Sequence, residues 1–165
     1  MDDPQIEELV RRLAETLEPR GLMLVTAESC TGGWVAKAAT DVPGSSHWFE
    51  GGYVTYTNRA KQGMLGVEPA TLQAHGAVSE ATVAEMAAGA LARSEAQVSL
   101  AISGVAGPGG GTAEKPVGMV CLGWARKGDT PVTRTERFDG DREAVRRAAV
   151  RAALDGVLEL LGDGG

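Results

Sequence analysis

The stretch LMLVTAESCTGGWVAKAAT, residues 22–40, decides the fold. Residues 22–27 form a short apolar run that predicts a buried strand, and the alanine-rich residues 31–40 predict a helix. A strand that turns directly into a helix is the unit of an open α/β sheet, and such sheets present ligands at the carboxyl ends of their strands. We therefore expect a functional turn over residues 26–33.

The remaining elements are predicted on either side of this turn. Apolar residues at helical spacing behind Asp3-Pro4 predict a first helix that stops at Gly21. Strands that alternate with helices early and pair locally later predict one three-layer α/β domain with a mixed β-sheet over residues 1–165. The predicted elements are a strand at 48–57 with a bulge at Gly51-Gly52, short helices at 58–65 (capped by Asn58) and 69–74, a helix from Ser79 to about Arg93, a strand at 98–103, a hairpin of 117–125 and 132–138, and a last helix at about 142–161.

Composition narrows the class of protein. The 165 residues fit one domain, and 16 Lys plus Arg against 22 Asp plus Glu give a net charge of -6, which argues against nucleic acid as a partner. No apolar run has the length of a membrane span, and residues 1–20 are acidic and amphipathic, unlike a secretion signal, so we expect a cytoplasmic protein. Cys30 and Cys121 lie far apart without a CxxC pair, so neither a disulfide framework nor a zinc site is indicated.

The turn itself allows two interpretations. Amides at a helix N-terminus are free to bind an anion, and Gly32-Gly33 lets a ligand approach the backbone closely, which suits a phosphate or an oxyanion. Alternatively, Ser29 or Thr31 only caps the helix. The chain lacks GxxxxGK[ST], GxSxG and a GxGxxG in strand-to-helix context, so ATPase, dehydrogenase and ordinary serine hydrolase classes lose support.

Lys61, at the end of YVTYTNRAK (53–61), could act as general base for a serine nucleophile if burial lowers its pKa. Taken alone, a lysine on a short helix is most often a solvated surface residue. A Ser-His-Asp triad would need one of the only two histidines, His47 and His75, and is weakly supported. Cys30 is an alternative nucleophile that ranks below Ser29, because free cysteine is commonly a small buried apolar residue.

Two arginines on the last predicted helix form a like-charge pair. Arg142 and Arg146 are four residues apart and share a face, which is mildly unfavourable unless an anion lies between them. A phosphate would explain the pair. Glu143 and Arg147 form an ordinary i,i+4 ion pair, so a solvated charged face remains the alternative.

Five blocks together resemble one family, the nicotinamide-nucleotide amidases, which are also similar to the C-terminal domain of the competence- and damage-inducible CinA proteins. The resemblance covers nearly the whole chain in order, and five long blocks are far more specific than one short motif. The blocks are TAESCTGGWVAKAATDVPGSS at 26–46, GGYVTYTNRAKQGMLGV at 51–67, HGAVSE at 75–80, SGVAGPGGGTAEKPVGMV at 103–120 and GDREAVR at 140–146.

The resemblance implies a hydrolase that converts nicotinamide mononucleotide to nicotinate mononucleotide and ammonia in pyridine-nucleotide salvage, without metal or organic cofactor. It points to Ser29 as nucleophile, with Tyr56 and Lys61 as its activating partners. The substrate-binding residues that we expect are the turn Cys30, Thr31, Gly32 and Gly33 for the oxyanion, the loop residues Ser103, Gly104, Gly107 and Gly109 as the opposite wall, and Arg142 and Arg146 as candidates for the 5′-phosphate. Gly109-Gly110-Gly111 replaces a loop that often carries an Asp in relatives, which removes a side-chain role there but leaves the backbone role.

A second class of function stays open at this point. A non-catalytic nucleotide-binding or regulatory module could keep the pocket without the chemistry, although intact Ser29, Tyr56 and Lys61 argue against it. Family habit also suggests a homo-oligomer.

Overall fold

The protein is described by a computed structural model over residues 3–162, so the outermost residues of the predicted domain, 1–2 and 163–165, lie outside the described residues. Five strands form one sheet in the order β2-β1-β3-β4-β5. Strand β1 runs parallel to β2 and to β3, while β3, β4 and β5 are antiparallel neighbours, which confirms the predicted mixed sheet. The strands are β1 (Leu24–Glu28), β2 (Phe49–Val54), β3 (Val98–Gly104), β4 (Met119–Arg126) and β5 (Val132–Arg137).

Helices cover both faces of the sheet and complete the predicted three layers. One apolar cluster joins α1, α2 and α6 to one face, and the other joins α5, with α3 and α4 packed against it, to the opposite face. Burying apolar side chains on both faces supplies the main driving force for this arrangement. The helices are α1 (Pro4–Leu17), α2 (Trp34–Asp41), α3 (Asn58–Leu65), α4 (Pro69–His75), α5 (Glu80–Ala92) and α6 (Arg142–Leu161).

The first strand and its helix begin later than the sequence suggested. The amide of Leu22 donates to the Leu17 carbonyl at 3.0 Å, a hydrogen bond that belongs to the end of the preceding helix. Strand β1 therefore starts only at Leu24. Helix α2 starts at Trp34 because Gly32 and Gly33 adopt φ values of 60° and 100°, a left-handed backbone that cannot form a helical turn. The strand and the helix are thus joined by residues 29–33, a longer connection than the predicted residues 28–30.

Other local predictions are confirmed with one correction of a cap. The register between β1 and β2 shifts between Leu24 and Val25, which confirms an irregularity beside Gly51-Gly52. Ser79 caps α5 as predicted, by accepting a hydrogen bond from the Thr82 amide. Asn58 was the wrong cap for α3, because Thr57 accepts from the Ala60 amide and Asn58 is already helical.

Within residues 3–162, no helix combines the length and the apolar character that a membrane crossing requires.

Candidate active site

Ser29 follows directly after β1, at the edge where the carboxyl ends of three parallel strands meet. Its amide donates to the Ile102 carbonyl of β3 at 3.0 Å, and the amide of Thr55, just beyond β2, donates to the Glu28 carbonyl at 2.8 Å. The strands thereby bring residues distant in sequence to one place. Ser29 is only 7% exposed, yet it lines a cavity.

Lys61 is buried, and the alternative of a solvated surface lysine is wrong. The side chain is 1% exposed, and its Nζ lies 2.9 Å from Ser29 Oγ. The same nitrogen lies 2.7 Å from the Thr55 carbonyl oxygen and 3.3 Å from that of Tyr56. The partners of Lys61 are therefore one hydroxyl and two backbone carbonyls, none of which carries a charge.

This environment favours the neutral form of the Lys61 side chain. Burial disfavours the charged ammonium and lowers the pKa of Lys61 to about 8. A neutral amine has two N–H bonds and one lone pair, so it can donate to the two carbonyls of Thr55 and Tyr56 and accept the hydrogen of the Ser29 hydroxyl. In the neutral form, donation to the two carbonyls leaves the lone pair directed at Ser29 Oγ.

Cys30, the competing nucleophile, lies in an unfavourable setting. It is 6% exposed, and burial raises the pKa of its thiol to about 11. The reactive species of a cysteine is the thiolate, which is scarce when the pKa lies that far above neutrality. The geometry therefore favours Ser29 over Cys30.

The helix after the turn is capped by Glu28, so both Ser29 and Thr31 were wrong candidates for the cap. Glu28 is fully buried, and its carboxylate accepts from the amides of Val35 at 2.9 Å and Ala36 at 3.1 Å. The Thr31 hydroxyl donates to the same carboxylate at 2.7 Å. Sequence reasoning missed Glu28, although a charged residue at the end of an otherwise buried strand is an available signal.

A cavity of about 230 Å³ opens beside the Ser29–Lys61 pair. It joins the predicted residues Ser103 and Gly104 to the pair. Ala77 and Val78, for which no role was expected, also line it, as does Ala106 in the loop expected to form the opposite wall. Ala77 and Val78 belong to the HGAVSE block at 75–80, so the family resemblance already pointed to this segment. The cavity lining is Ser29, Cys30, Tyr56, Lys61, Ala77, Val78, Ser103, Gly104, Ala106 and Arg142.

Arg142 and the phenol of Tyr56 lie together at the rim of this cavity. Arg142 donates to the Gly107 carbonyl at 2.7 Å and to the Tyr56 hydroxyl at 3.2 Å. The Tyr56 side chain is 60% exposed, and the part of Tyr56 near Ser29 is its carbonyl oxygen, 3.5 Å from Ser29 Oγ. Of the predicted loop residues, neither Gly107, which is buried, nor Gly109, which is exposed, lines the cavity.

Arg146 lies on the other side of the turn. It donates from Nε to the Cys30 carbonyl at 3.0 Å and from Nη2 to the Thr31 carbonyl at 3.3 Å. With Gly32 and Gly33 it lines a separate cavity of about 410 Å³. The structure therefore does not bring Arg142 and Arg146 to one cavity, and each guanidinium has backbone carbonyls as partners.

The fold and the pair define a class of protein: an α/β domain with a buried serine–lysine pair at the carboxyl ends of its parallel strands. Among residues 3–162 there is no cluster of three or more His, Cys, Asp or Glu side chains suited to a metal ion. Residues 6–161 match the CinA C-terminal domain, and the chain belongs to that family.

The chain is similar over most of its length to proteins of known name. It is 53% identical over 154 residues to the nicotinamide-nucleotide amidohydrolase PncC of Escherichia coli strain K12, covering 93% of each chain. It is 52% identical over 158 residues to the protein of the same name from Pseudomonas putida, covering 96% of this chain and 98% of the relative. The crystal structure of the competence/damage inducible protein CihA from Agrobacterium tumefaciens matches with a TM-score of 0.94 at 48% identity, covering 97% of this chain and 98% of the other.

Proposed function

We propose that this protein hydrolyses the carboxamide of nicotinamide mononucleotide, releasing ammonia and nicotinate mononucleotide, as a step of pyridine-nucleotide salvage. The chain is 53% and 52% identical to two proteins named nicotinamide-nucleotide amidohydrolase, and this similarity supports the proposed substrate. The observation that carries the chemistry is the contact of 2.9 Å between Lys61 Nζ and Ser29 Oγ in a buried pocket. A Ser–Lys pair of this kind supplies a nucleophile and its base without histidine or metal.

The reaction begins when neutral Lys61 takes the proton of the Ser29 hydroxyl. Ser29 Oγ then bonds to the carboxamide carbon, and the proton held by Lys61 passes to the amide nitrogen. The C–N bond then breaks, so that ammonia leaves, an ester remains on Ser29 and Lys61 is neutral again. Water attacks this ester with Lys61 again accepting the proton, which returns to Ser29 as the acid departs. General acid–base catalysis of this type contributes on the order of 10²–10⁴ in rate.

Tyr56 is the proposed relay that passes the proton taken by Lys61 to the leaving nitrogen. Its hydroxyl accepts a hydrogen bond from Arg142, which leaves its own O–H free to donate and polarises it toward doing so. The position of the phenol at the rim of the cavity suits contact with a substrate that enters from solvent. The negative oxygen formed during attack is assigned to amides of the Cys30–Gly33 turn other than that of Gly32, which already donates to the Ser29 carbonyl. Loss of one such donor costs about 10²–10³ in rate.

The substrate is divided between the cavity and its rim. A volume of about 230 Å³ suits the nicotinamide ring and its carboxamide, with the small side chains Ala77 and Ala106 leaving room for a flat ring. The ribose and phosphate then extend toward Arg142, beside the backbone of the Gly104–Gly111 loop. Arg142 is our candidate for the phosphate contact, because a guanidinium binds phosphate oxygens with charge-assisted hydrogen bonds.

Ammonia release from nicotinamide mononucleotide by the purified protein tests this function. We expect steady production of one ammonia and one nicotinate mononucleotide per substrate, abolished by Ser29→Ala, followed by an ammonia-coupled assay and by chromatography of the nucleotides. A non-catalytic module would instead bind the nucleotide, seen by calorimetry, without releasing ammonia. Binding with no turnover would therefore overturn the proposal in favour of that second class.

A further inference from the structure

The turn of residues 29–33 is held from one side by the carboxylate of Glu28. One carboxylate oxygen accepts from the Thr31 hydroxyl at 2.7 Å and from the Val35 amide at 2.9 Å, and the other accepts from the Ala36 amide at 3.1 Å. These donors lie three, seven and eight residues ahead in the chain. The side chain therefore joins the end of β1 to the start of α2 across the turn that carries Ser29.

The same turn is held from the other side by Arg146. Its guanidinium contacts the carbonyls of Cys30 and Thr31 and lies over the Trp34 ring, with 5.7 Å between Cζ and the ring centroid. A planar, forked guanidinium can bridge two acceptors at once, which an ammonium cannot do in the same geometry. Glu28 thus binds donors of the turn and of α2, while Arg146 binds acceptors of the turn.

Fixing the carbonyls also fixes the amides. A peptide unit is planar and its N–H points opposite to its C=O, so a guanidinium that holds the Cys30 carbonyl turns the Thr31 N–H away from Arg146. In the same way, holding the Thr31 carbonyl orients the Gly32 N–H, which donates to the Ser29 carbonyl at 3.0 Å and closes the turn. Left-handed Gly32 and Gly33 have wide conformational freedom, so an outside constraint is needed to keep them in one shape.

We infer that Glu28 and Arg146 are positioning residues that clamp the 29–33 turn from both sides and hold Ser29 and the following amides in reactive geometry. This inference rests on the proposed function and deepens it. Neither side chain lines the cavity beside Ser29. The clamp also assigns Arg146 to the turn, in place of the phosphate role that the helix spacing suggested.

A clamp and a phosphate ligand predict different kinetics. Displacement of a nucleophile by about 1 Å can cost on the order of 10² in rate without weakening substrate binding. Loss of a clamp residue should therefore lower kcat and leave KM nearly unchanged, equally for nicotinamide mononucleotide and for nicotinamide riboside, which lacks the phosphate. Loss of a phosphate ligand should raise KM for the mononucleotide alone.

The test compares Glu28→Gln and Arg146→Lys in the full chain. The two carboxylate oxygens of Glu28 accept hydrogen bonds from three donors, whereas a glutamine side chain has only one acceptor oxygen. For Glu28→Gln we therefore expect kcat to fall about 100-fold, with KM changed less than about 3-fold. Arg146→Lys keeps the charge but loses the fork, and we expect a loss in kcat of about 10- to 100-fold. Thr31→Val removes only one donor and serves as the milder variant if Glu28→Gln folds poorly, with an expected loss of about 5- to 10-fold.

Asp3→Asn is the matched control, because Asp3 is also a buried carboxylate that caps a helix, α1, but its side-chain hydrogen bonds go to α1 and α6 and not to the 29–33 turn. It should lose stability and keep both kcat and KM. The rate at which a sulfonyl fluoride modifies Ser29 is a second measurement of its reactivity, and it needs no substrate. This rate should fall in Glu28→Gln and Arg146→Lys and stay unchanged in Asp3→Asn.

Each outcome separates the clamp from the proposed function. If the wild-type protein releases no ammonia, the proposed function is wrong. The rates of Ser29 modification by the sulfonyl fluoride then still test the clamp. An active wild type with unchanged kcat and labelling in both variants overturns the clamp alone. A rise in KM for the mononucleotide only, on Arg146→Lys, would return Arg146 to the phosphate and overturn its place in the clamp.

Discussion

Two buried ionisable groups, Asp3 and Lys61, show how the partners of a charge decide its consequence. Asp3 is 6% exposed, and its two carboxylate oxygens have different partners. One oxygen caps α1 by accepting hydrogen bonds from two backbone amides, and the other forms ion pairs with Arg147 at 2.7 Å and Arg151 at 2.8 Å. Burial alone would raise the pKa of Asp3, but hydrogen bonds from Arg147, the Ile6 amide and Arg151 outweigh it and hold the pKa far below its usual value.

Lys61 is more deeply buried, but its partners are neutral. Two carbonyls and a hydroxyl offset only part of the cost of removing an ammonium from water, so its pKa falls to about 8. The carboxylate of Asp3, which has arginines beside it, stabilises the fold. The amine of Lys61, which has only neutral partners, loses its proton more easily, and its burial costs stability. Variants in the Ser29–Lys61 region should therefore change turnover, and variants at Asp3 should change stability.

The largest effect is expected for Ser29→Ala. Removing the proposed nucleophile should lower kcat by at least about 10⁴-fold, because no acyl-enzyme can form, while folding and substrate binding stay nearly intact. Cys30→Ala should stay within about 3-fold of wild type, since its thiol is protonated and buried. Steady-state ammonia release measures both. An inactive but folded Cys30→Ala beside an active Ser29→Ala would make this a thiol amidase.

Lys61→Arg should be the next most damaging change, with a loss of at least about 10³-fold, because a guanidinium keeps its proton and cannot act as a base. In the proposed mechanism, the neutral amine of Lys61 is the active form, and its fraction increases as pH rises through the pKa. Turnover should therefore rise with pH around a midpoint near 8. A pH profile of kcat checks this. Wild-type turnover in Lys61→Arg would reduce Lys61 to a positive charge.

Arg142→Ala should have an intermediate effect and should depend on the phosphate. Loss of charge-assisted hydrogen bonds is expected to lower kcat/KM for nicotinamide mononucleotide about 10- to 100-fold. The loss for nicotinamide riboside should be smaller, in contrast to the equal losses expected for Arg146→Lys. Parallel assays on the two substrates give the ratio. Equal losses would free Arg142 from the phosphate and leave only its contacts with Gly107 and Tyr56.

Asp3→Asn should lower the free energy of unfolding by about 1–3 kcal/mol and leave turnover unchanged. Asparagine can still cap α1, so the loss isolates the ion pairs with Arg147 and Arg151. Because the folded pKa of Asp3 is depressed, its stabilisation is present above about pH 4 and is lost as the pH falls further. Denaturant unfolding of both proteins from pH 7 to 3 should show the difference shrinking. A constant difference would point to packing.

The smallest effect on stability is expected for Lys61→Met. This variant should be as inactive as Lys61→Arg, but its free energy of unfolding at pH 7 should lie within about 1 kcal/mol of wild type. Methionine avoids burying an ammonium, and the gain offsets the loss of two hydrogen bonds to carbonyls. Between pH 8 and about 10.4 the unfolded wild type binds more protons than the folded protein, so wild-type stability rises relative to the variant. Unfolding at pH 7, 8 and 9 measures this trend, and a flat difference would place the Lys61 pKa elsewhere.

Much of the architecture was predictable because it depends on local patterns. Helical spacing, the Gly21 stop and the apolar runs predicted every helix and strand within a few residues, and the mixed sheet followed from their order. The start of α2 was misplaced because two left-handed glycines lengthen the turn. The cap of that helix was assigned to the wrong residues, since Glu28 reaches it across the turn from the preceding strand.

By itself, the sequence determined which residues stand at the strand ends and which chemical groups they carry, including Ser29 after β1 and the resemblance that singles out Tyr56 and Lys61. Only the tertiary structure decided that Lys61 is buried within 2.9 Å of a residue 32 positions away. It also separated Arg142 from Arg146 by placing the 29–33 turn between their two cavities. Burial and long-range contacts depend on how elements pack, and packing sums many weak interactions that no local pattern contains.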